Sequence, residues 1–306
     1  MTPLENERGM VLLLVLVVIA LLSALLIEIA FSTQVDLRLT ETYRDSTRAY
    51  YLAKGGIQVG RMLLKEDNNS YDANDEMWAQ GISNYPLDER SVVSVEVKDL
   101  DGRLDLNRIV DSSGVNPTIY LERFQRLLEE LGADDPEGLS DALFDWVDSN
   151  NQEEPHGAEE GYYLGLNPPY PAKNGALDTI EELRLVRGFT AEVFELVAPH
   201  VTVRGGSRLN LNTATPEVLL AWDVDMTAEA TEQIVEERAG APFASTNAVQ
   251  ELIGIDTYSA LNRNLDVGVT SSSYHIVSRG GVNEGGRRVE AVYSKSTDTI
   301  LYLKVN

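Results

Sequence analysis

From Met10 to Ile27 the chain is apolar at every position except Ser23. As a helix rising about 1.5 Å per residue, these 18 residues span roughly 27 Å, enough to cross the hydrocarbon of a bilayer. A cleaved secretory signal has a basic start, a shorter apolar core and a cut site soon after it. Here the start carries Glu5 and Glu7 beside Arg8, and no turn residues follow Ile27. Instead Phe31, Val35, Leu39, Tyr43, Ala49, Ala53, Ile57 and Leu64 continue an apolar stripe near the helical period. No proline interrupts residues 10–65, so one rod of about 80 Å is expected. Its second half carries Ser46, Ala49, Ala53, Gly56 and Gly60, small residues that let another backbone layer approach closely. The blander alternative is a membrane helix followed by an ordinary amphipathic one.

Beyond the rod, residues 66–90 are rich in Asp, Asn and Ser and contain Pro86, the composition of a polar connection. Ser91–Asn107 alternates Val93, Val95 and Val97, turns at Asp101-Gly102 and alternates again at Leu104 and Leu106, which predicts a hairpin. Helical spacing takes over in IYLERFQRLLEELG, LSDALFDWVD and LDTIEELRLVRG. The stretch HVTVRGGSRLNLNTA has extended character, and Thr215 and Pro216 then open a helix at TPEVLLAW, followed by AEATEQIVEERA. The C-terminus reads as three strands, SYHIVSRGG, RRVEAVYSKS and TILYLKV. The simplest assembly is an α+β head whose sheet uses residues 91–109, 200–212 and 272–306. A helical domain at 112–198 is inserted into that head, which spans 66–111 and 199–306.

The chain has 49 acidic and 25 basic residues, a formal charge of -24, and this repels phosphate backbones. LNLNTATPEVLLAW has the rhythm of a helix-hairpin-helix module, but without a basic patch the main driving term for nucleic acid is missing, and no nucleic-acid partner is expected. The absence of cysteine excludes disulfides, thiolate metal sites and cysteine nucleophiles. His156, His200 and His275 lie scattered, and no GxSxG elbow, P-loop or GxGxxG is present, so the chain is not expected to be an enzyme.

Acidity is concentrated in one span. Between Glu129 and Ala172 there are twelve acidic residues and no Lys or Arg. Within it, DWVDSNNQEEPHGAEEGYY gathers hard oxygen donors, which suit Ca²⁺ better than zinc. Asp148, Asn150, Gln152 and Glu159 fall at positions one, three, five and twelve of an EF-hand frame, yet Glu153 stands where the turn needs glycine. The reading is therefore an irregular acidic loop able to wrap a cation, with a solvated loop holding no ion as the alternative. The candidate ligands are Asp145, Asp148, Asn150, Glu159 and Glu160. Tyr162 and Tyr163 are expected to pack beneath the loop.

Arg8-Gly9-Met10, the apolar run behind it and AYYLAKGGI resemble the N-terminus of type IV pilins and type II secretion pseudopilins. That resemblance implies a leader of residues 1–9, cut by a prepilin peptidase between Gly9 and Met10, and N-methylation of Met10. Most such proteins carry a glutamate at the fifth mature position, where this chain has Leu14. An isolated carboxylate is costly in a dry helical bundle, so Leu14 implies that the usual pairing with a neighbouring amino terminus is not made. The leader also departs from the pattern in being acidic. Its missing glutamate, its size, and the stretches DLDGRLDLN, LNLNTATPEVL and DWVDSNN with GAEEGYY are similar to those of the K-type minor pseudopilins. That family has a pilin-like head with a large inserted α-domain that binds calcium through the matching acidic loop. The resemblance implies a subunit at the tip of the pseudopilus. Its partners would be the I-type and J-type minor pseudopilins, the major pseudopilin and the inner-membrane assembly platform. It would be a single-pass protein of the bacterial inner membrane with its head in the periplasm. The rival reading is a single-span periplasmic protein that captures an ion or ligand and builds no filament.

Overall fold

The apolar run and the amphipathic stripe form one helix, α1 (Glu7–Glu66), in the computed structural model, which describes residues 7–306 and their side chains from Gly9 onward. Residues 1–6 of the expected leader lie outside the described residues. From Gly9 to Arg44 every residue of α1 is exposed; burial begins at Asp45 and continues through Ala49, Ala53, Ile57 and Leu64. The expected stripe is therefore used only in its second half, while Phe31, Val35, Leu39 and Tyr43 stay exposed.

A short helix, α2 (Met77–Gln80), leads into strands β1 (Ile82–Asp88) and β2 (Ser91–Asp99). The long middle of the chain carries β3 (Leu104–Asp105), α3 (Ile119–Glu130), α4 (Pro136–Val147), α5 (Glu160–Leu164), α6 (Ala191–Val197), β4 (Val201–Thr202) and β5 (Leu209–Asn210). It continues with α7 (Pro216–Ala221), α8 (Ala228–Gly240), α9 (Thr246–Ile253), α10 (Ile255–Leu261) and β6 (Val267–Gly268). Strands β7 (Ser273–Val282), β8 (Gly285–Ser294) and β9 (Thr299–Val305) complete it. LDTIEELRLVRG forms a 3₁₀ helix at Ile180–Leu185, where Glu182 Oε1 accepts a hydrogen bond from the Thr179 amide at 3.1 Å.

Five strands make one antiparallel sheet in the order β1-β2-β7-β8-β9. The sheet accepts α1 because both surfaces are stripped of side chains at the contact. A Cβ at Gly56 would collide with Ser278 Oγ, and one at Gly60 would stand 2.8 Å from Ile276 Cγ2. From the sheet side, a Cβ at Gly280 would run into the Ala49 carbonyl and stand 2.8 Å from the Ala53 nitrogen. Around this contact Ile57, Leu64, Trp78, Val95, Val97, Tyr274, Ile276, Val289 and Tyr293 form one buried cluster. Polar clamps hold both ends of the buried half-helix. Asn283, in the β7–β8 turn, donates to Asp45 at 2.6 Å; Asp298, in the β8–β9 turn, takes Arg61 at 2.8 Å and Lys65 at 2.5 Å.

The sheet differs from expectation in two ways. The hairpin expected across Asp101-Gly102 does not close on itself, because β2 pairs with β7, Val97 facing Ile276, while β3 pairs in parallel with β4. Residues 200–212 contribute no strand to the five-stranded sheet: β5 pairs in parallel with β6, far along the chain. Correspondingly, Val201, Leu209, Leu211, Leu219, Ile234 and Val267 pack with Phe124, Leu143 and Trp146 in a second buried cluster that runs from Leu104 to Val269. Residues 199–271, expected in the head, thus share the core of the helical unit. The stretch at 66–90, expected to be connection only, supplies an edge strand instead.

Candidate functional site

The acidic loop leaves the C-terminal end of α4 and returns through α5. Asp145 and Asp148, on the last turn of α4 and just after it, are fully buried, and Glu159, which caps α5, is nearly so. The Asp145 carboxylate accepts from the Glu154 amide at 3.2 Å, so the loop folds back over it. Gly157 makes that possible, since a Cβ there would collide with Asp145 Oδ2. Asp148 accepts from the Asn150 amide at 3.3 Å and from Asn150 Nδ2 at 2.6 Å, and Asn150 Oδ1 in turn accepts from the Gln152 amide at 2.6 Å. Glu159 Oε2 accepts from the Glu160 amide at 3.3 Å, whereas Glu159 Oε1 is buried with no hydrogen-bond partner. Beneath the loop, Trp146 and Tyr163 meet edge to face with ring centroids 4.9 Å apart.

Burial works against charge here. It pushes the Asp145 carboxyl up to about 7, with the charges of Glu159 and Asp148 adding to the effect. Burial likewise takes Asp148 to about 6, with Glu154 adding, and it raises Glu159, whose neighbours Asp148, Glu153 and Glu160 reinforce the shift. Among the described residues no Lys or Arg forms an ion pair with any of the three. Arg187, which reaches the loop, donates instead to the Gly157 carbonyl at 2.6 Å.

Of the expected ligands, the fold brings Asp145, Asp148 and Glu159 to one buried place with Asn150 tied to Asp148; Glu160 is exposed on α5. The orphaned Glu159 oxygen and the all-oxygen donor set fit a hard divalent cation. The carboxylates do not, however, converge within coordinating reach of one another. Among the described residues the group that does is Asp67, Asp72 and Glu76, whose ligand atoms lie within 4.8 Å. Sequence spacing gives no hint of it. One cation already bridges two of its members, Lys295 Nζ lying 2.8 Å from Asp67 and 3.1 Å from Asp72, and Glu76 accepts from Trp78 Nε1 at 2.9 Å. That group is a clasp between the end of α1 and the β8–β9 hairpin.

Aspartates of DLDGRLDLN and asparagines of LNLNTATPEVL build the seam between sheet and helical unit. Asp101 accepts from the Gly206 and Ser272 amides, each at 2.7 Å. Asn210 donates to the Asp72 carbonyl at 2.9 Å and to Ser271 Oγ at 2.7 Å, and Thr213 donates to Asp99. Within the helical unit, buried Arg123 donates to Asp266 at 2.6 Å and to the Trp222 carbonyl at 2.7 Å, stapling α3 to the approach of β6.

The processing and assembly residues sit on the bare half of α1. Nothing lies within 4 Å of the space a Gly9 Cβ would take, and Met10 and Leu14 are 68% and 62% exposed. This helix is long and apolar enough to cross a membrane, with a mean hydropathy of 3.4 over its most apolar window.

Comparison with known proteins follows the same lines. The fold is shared with a chain of the crystal structure of the GspK-GspI-GspJ complex from the enterotoxigenic Escherichia coli type 2 secretion system, with a TM-score of 0.66 over 87% of this chain and 99% of that one, at 17% identity. Type II secretion system protein K of Pseudomonas aeruginosa is 29% identical over 79% of this chain and 75% of its own length. That of Aeromonas hydrophila is 26% identical over 99% and 97%. Two family models, each described as type II secretion system protein K, match residues 102–206 and 209–268, from the turn at Gly102 through the acidic loop to the Asp266 ion pair. With more than half of the chain matched in this way, it belongs to the type II secretion system protein K family.

Proposed function

We propose that this chain is the minor pseudopilin at the tip of a type II secretion pseudopilus, where it starts assembly with its I-type and J-type counterparts. The observation that carries this reading is the division of α1. One half is sealed against the sheet through Gly56, Gly60 and Gly280, while the other, from Gly9 to Arg44, buries nothing and is left for a bilayer or for neighbouring helices. A helix shared in this way holds the chain in the inner membrane first and in a filament core later, the head lying in the periplasm. Support for the partners is the solved GspK-GspI-GspJ complex, in which the matching fold occurs. Leu14 leaves no carboxylate to pair with a subunit above, and the helical unit adds bulk that would block stacking; both favour the tip. The major pseudopilin and the assembly platform complete the partner set, and the role is one of contact rather than catalysis.

In this reading a prepilin peptidase removes residues 1–9 and Met10 becomes the N-methylated terminus. The acidic loop would draw in around calcium, with Asp145, Asp148 and Glu159 as the principal ligands and Asn150 and Glu160 completing the set. Bound calcium would supply the positive charge that the buried carboxylates lack. The decisive experiment is mass spectrometry of the membrane-extracted protein coexpressed with a prepilin peptidase. The expected product begins at Met10, and Gly9→Ala remains untrimmed. A Gly9→Ala protein trimmed as fully as wild type would favour the single-span periplasmic binding protein instead.

A further inference from the structure

A cleft of about 110 Å³ opens where the outer face of β8 and β9 meets the segments at 178–181 and 201–204. Its walls are apolar, Leu100, Val201, Val203 and Val292 being buried. Its polar lining sets Arg103, Arg204 and Lys304 beside Asp178, Glu181 and Glu290. Arg103 is half-buried, and among the described residues its guanidinium forms no hydrogen bond or ion pair with another side chain. Burial pulls Arg103 below the usual guanidinium range. Arg204 Nε is buried with no partner, and the nearest carboxylate to Arg204, that of Asp178, is 4.0 Å away. Among the described residues Lys304 forms no ion pair, and it stands opposite Glu290 across β8 and β9.

Two of the three acids also meet cations outside the lining. Asp178 is held by Lys173 at 2.9 Å and Glu290 by Arg288 at 3.1 Å, while Glu181 is exposed at the rim. Among the described residues Arg103 is kept partly out of water with no ion pair, and Arg204 shares Asp178 with Lys173, so an anion in the cleft would relieve both guanidiniums. A guanidinium meets a carboxylate through two parallel hydrogen bonds, and the apolar walls favour a short aliphatic body behind that group.

We propose that this cleft binds a short aliphatic carboxylate, gripped by Arg103 and Arg204 with Lys304 at its mouth. The same chemistry is offered by a free branched-chain acid and by the C-terminal end of a polypeptide, and the test separates them. The full-length protein in detergent is melted with sodium isovalerate and, separately, with N-acetyl-alanyl-leucine. Isovaleramide and the peptide amide serve as neutral controls, and sodium chloride holds ionic strength constant. At tenfold above Kd the melting temperature should rise by about 2–4 °C with an acid and not with its amide. Arg103→Gln should abolish the shift. If that variant does not fold, Lys304→Gln, at the edge of the sheet, should at least halve it. A shift with isovalerate alone assigns the cleft to a free acid, and one with the peptide alone to a chain end. No rise over chloride with either acid, an equal rise with the amides, or an undiminished rise in the variants overturns the proposal.

Discussion

Glu159 sends one carboxylate oxygen to the first amide of α5 and leaves the other buried and unpaired. Together with Asp145 and Asp148 it makes the acidic loop the place where added charge would matter most. Calcium at a hundredfold excess over Kd should stabilise the folded chain by about 2.7 kcal/mol, a melting rise of about 5–10 °C. Glu159→Gln keeps an oxygen for the cap but removes the charge, so the calcium shift should fall by at least half while the variant in EDTA melts no lower than wild type. Scanning calorimetry that finds the same shift in both proteins would dismiss this site. A second prediction rests on Asp101 in the seam, whose carboxyl is pushed up to about 7, first by burial and then by Asp99. Between an unfolded value of about 3.9 and that folded value, the native chain holds a proton that the unfolded chain has released. Its contribution is therefore fully present below about pH 4 and is lost as pH rises through 7. Melting curves from pH 5 to 8 in saturating calcium should slope downward, and Asp101→Asn should flatten the slope. Composition pointed to the acidic loop because twelve like charges in one span are visible without a fold. It could not separate buried Glu159 from exposed Glu160, which differ only by one position at a helix start, nor assign the seam aspartates, whose partners at Gly206 and Ser272 lie more than a hundred residues away.

At the level of elements, α1 was legible because its period and its small residues are local signals. Ala49, Ala53, Gly56 and Gly60 fall where the sheet approaches, and the matching Gly280 on β7 completes the contact. The pairing of the short strands was not legible. β3, β4, β5 and β6 are two residues each, too short for alternation to register, and their partners are set by the helices packed around them. The same holds for the turn at Asp101-Gly102, where the Leu100 amide bonds to the Ser273 carbonyl at 3.0 Å and extends the pairing of β2 with β7. β1 was hidden because Pro86 and the polar residues around it break any alternation, and most of its side chains stand in water, as suits an edge strand. The glycine contact gives a direct prediction. Gly280→Ala forces a methyl group into the α1 backbone at Ala49 and should cost about 1–3 kcal/mol. Gly286→Ala, on the same hairpin with nothing within 4 Å, should be close to neutral. Urea midpoints that moved equally for the two variants would mean that α1 does not lie on the sheet at this distance.

For the molecule as a whole, two buried clusters divide the work. One joins the sheet to the second half of α1, and the other fills the helical unit between Leu104 and Val269. Neither draws on the first half of α1, where no residue from Gly9 to Arg44 is buried. The apolar surface there, including Leu12, Leu14, Leu16 and Leu21 at 62–68% exposure, is a demand for a bilayer or a helical bundle rather than a contribution to folding. A chain starting at Thr40 should therefore stay in solution without detergent and melt within about 1–2 °C of the full-length protein, because only exposed positions have been removed. A chain starting at Ile57 tests the other side of the boundary. It discards Ala49, Ala53 and the Asp45–Asn283 clamp, opens the sheet face at Gly280, and should lose its cooperative transition. Circular dichroism of the two truncations separates the possibilities. If the Thr40 chain melted as poorly as the Ile57 chain, the exposed half of α1 would be part of the folding unit, and the proposal that it serves as a stem for membrane and filament would have to be given up.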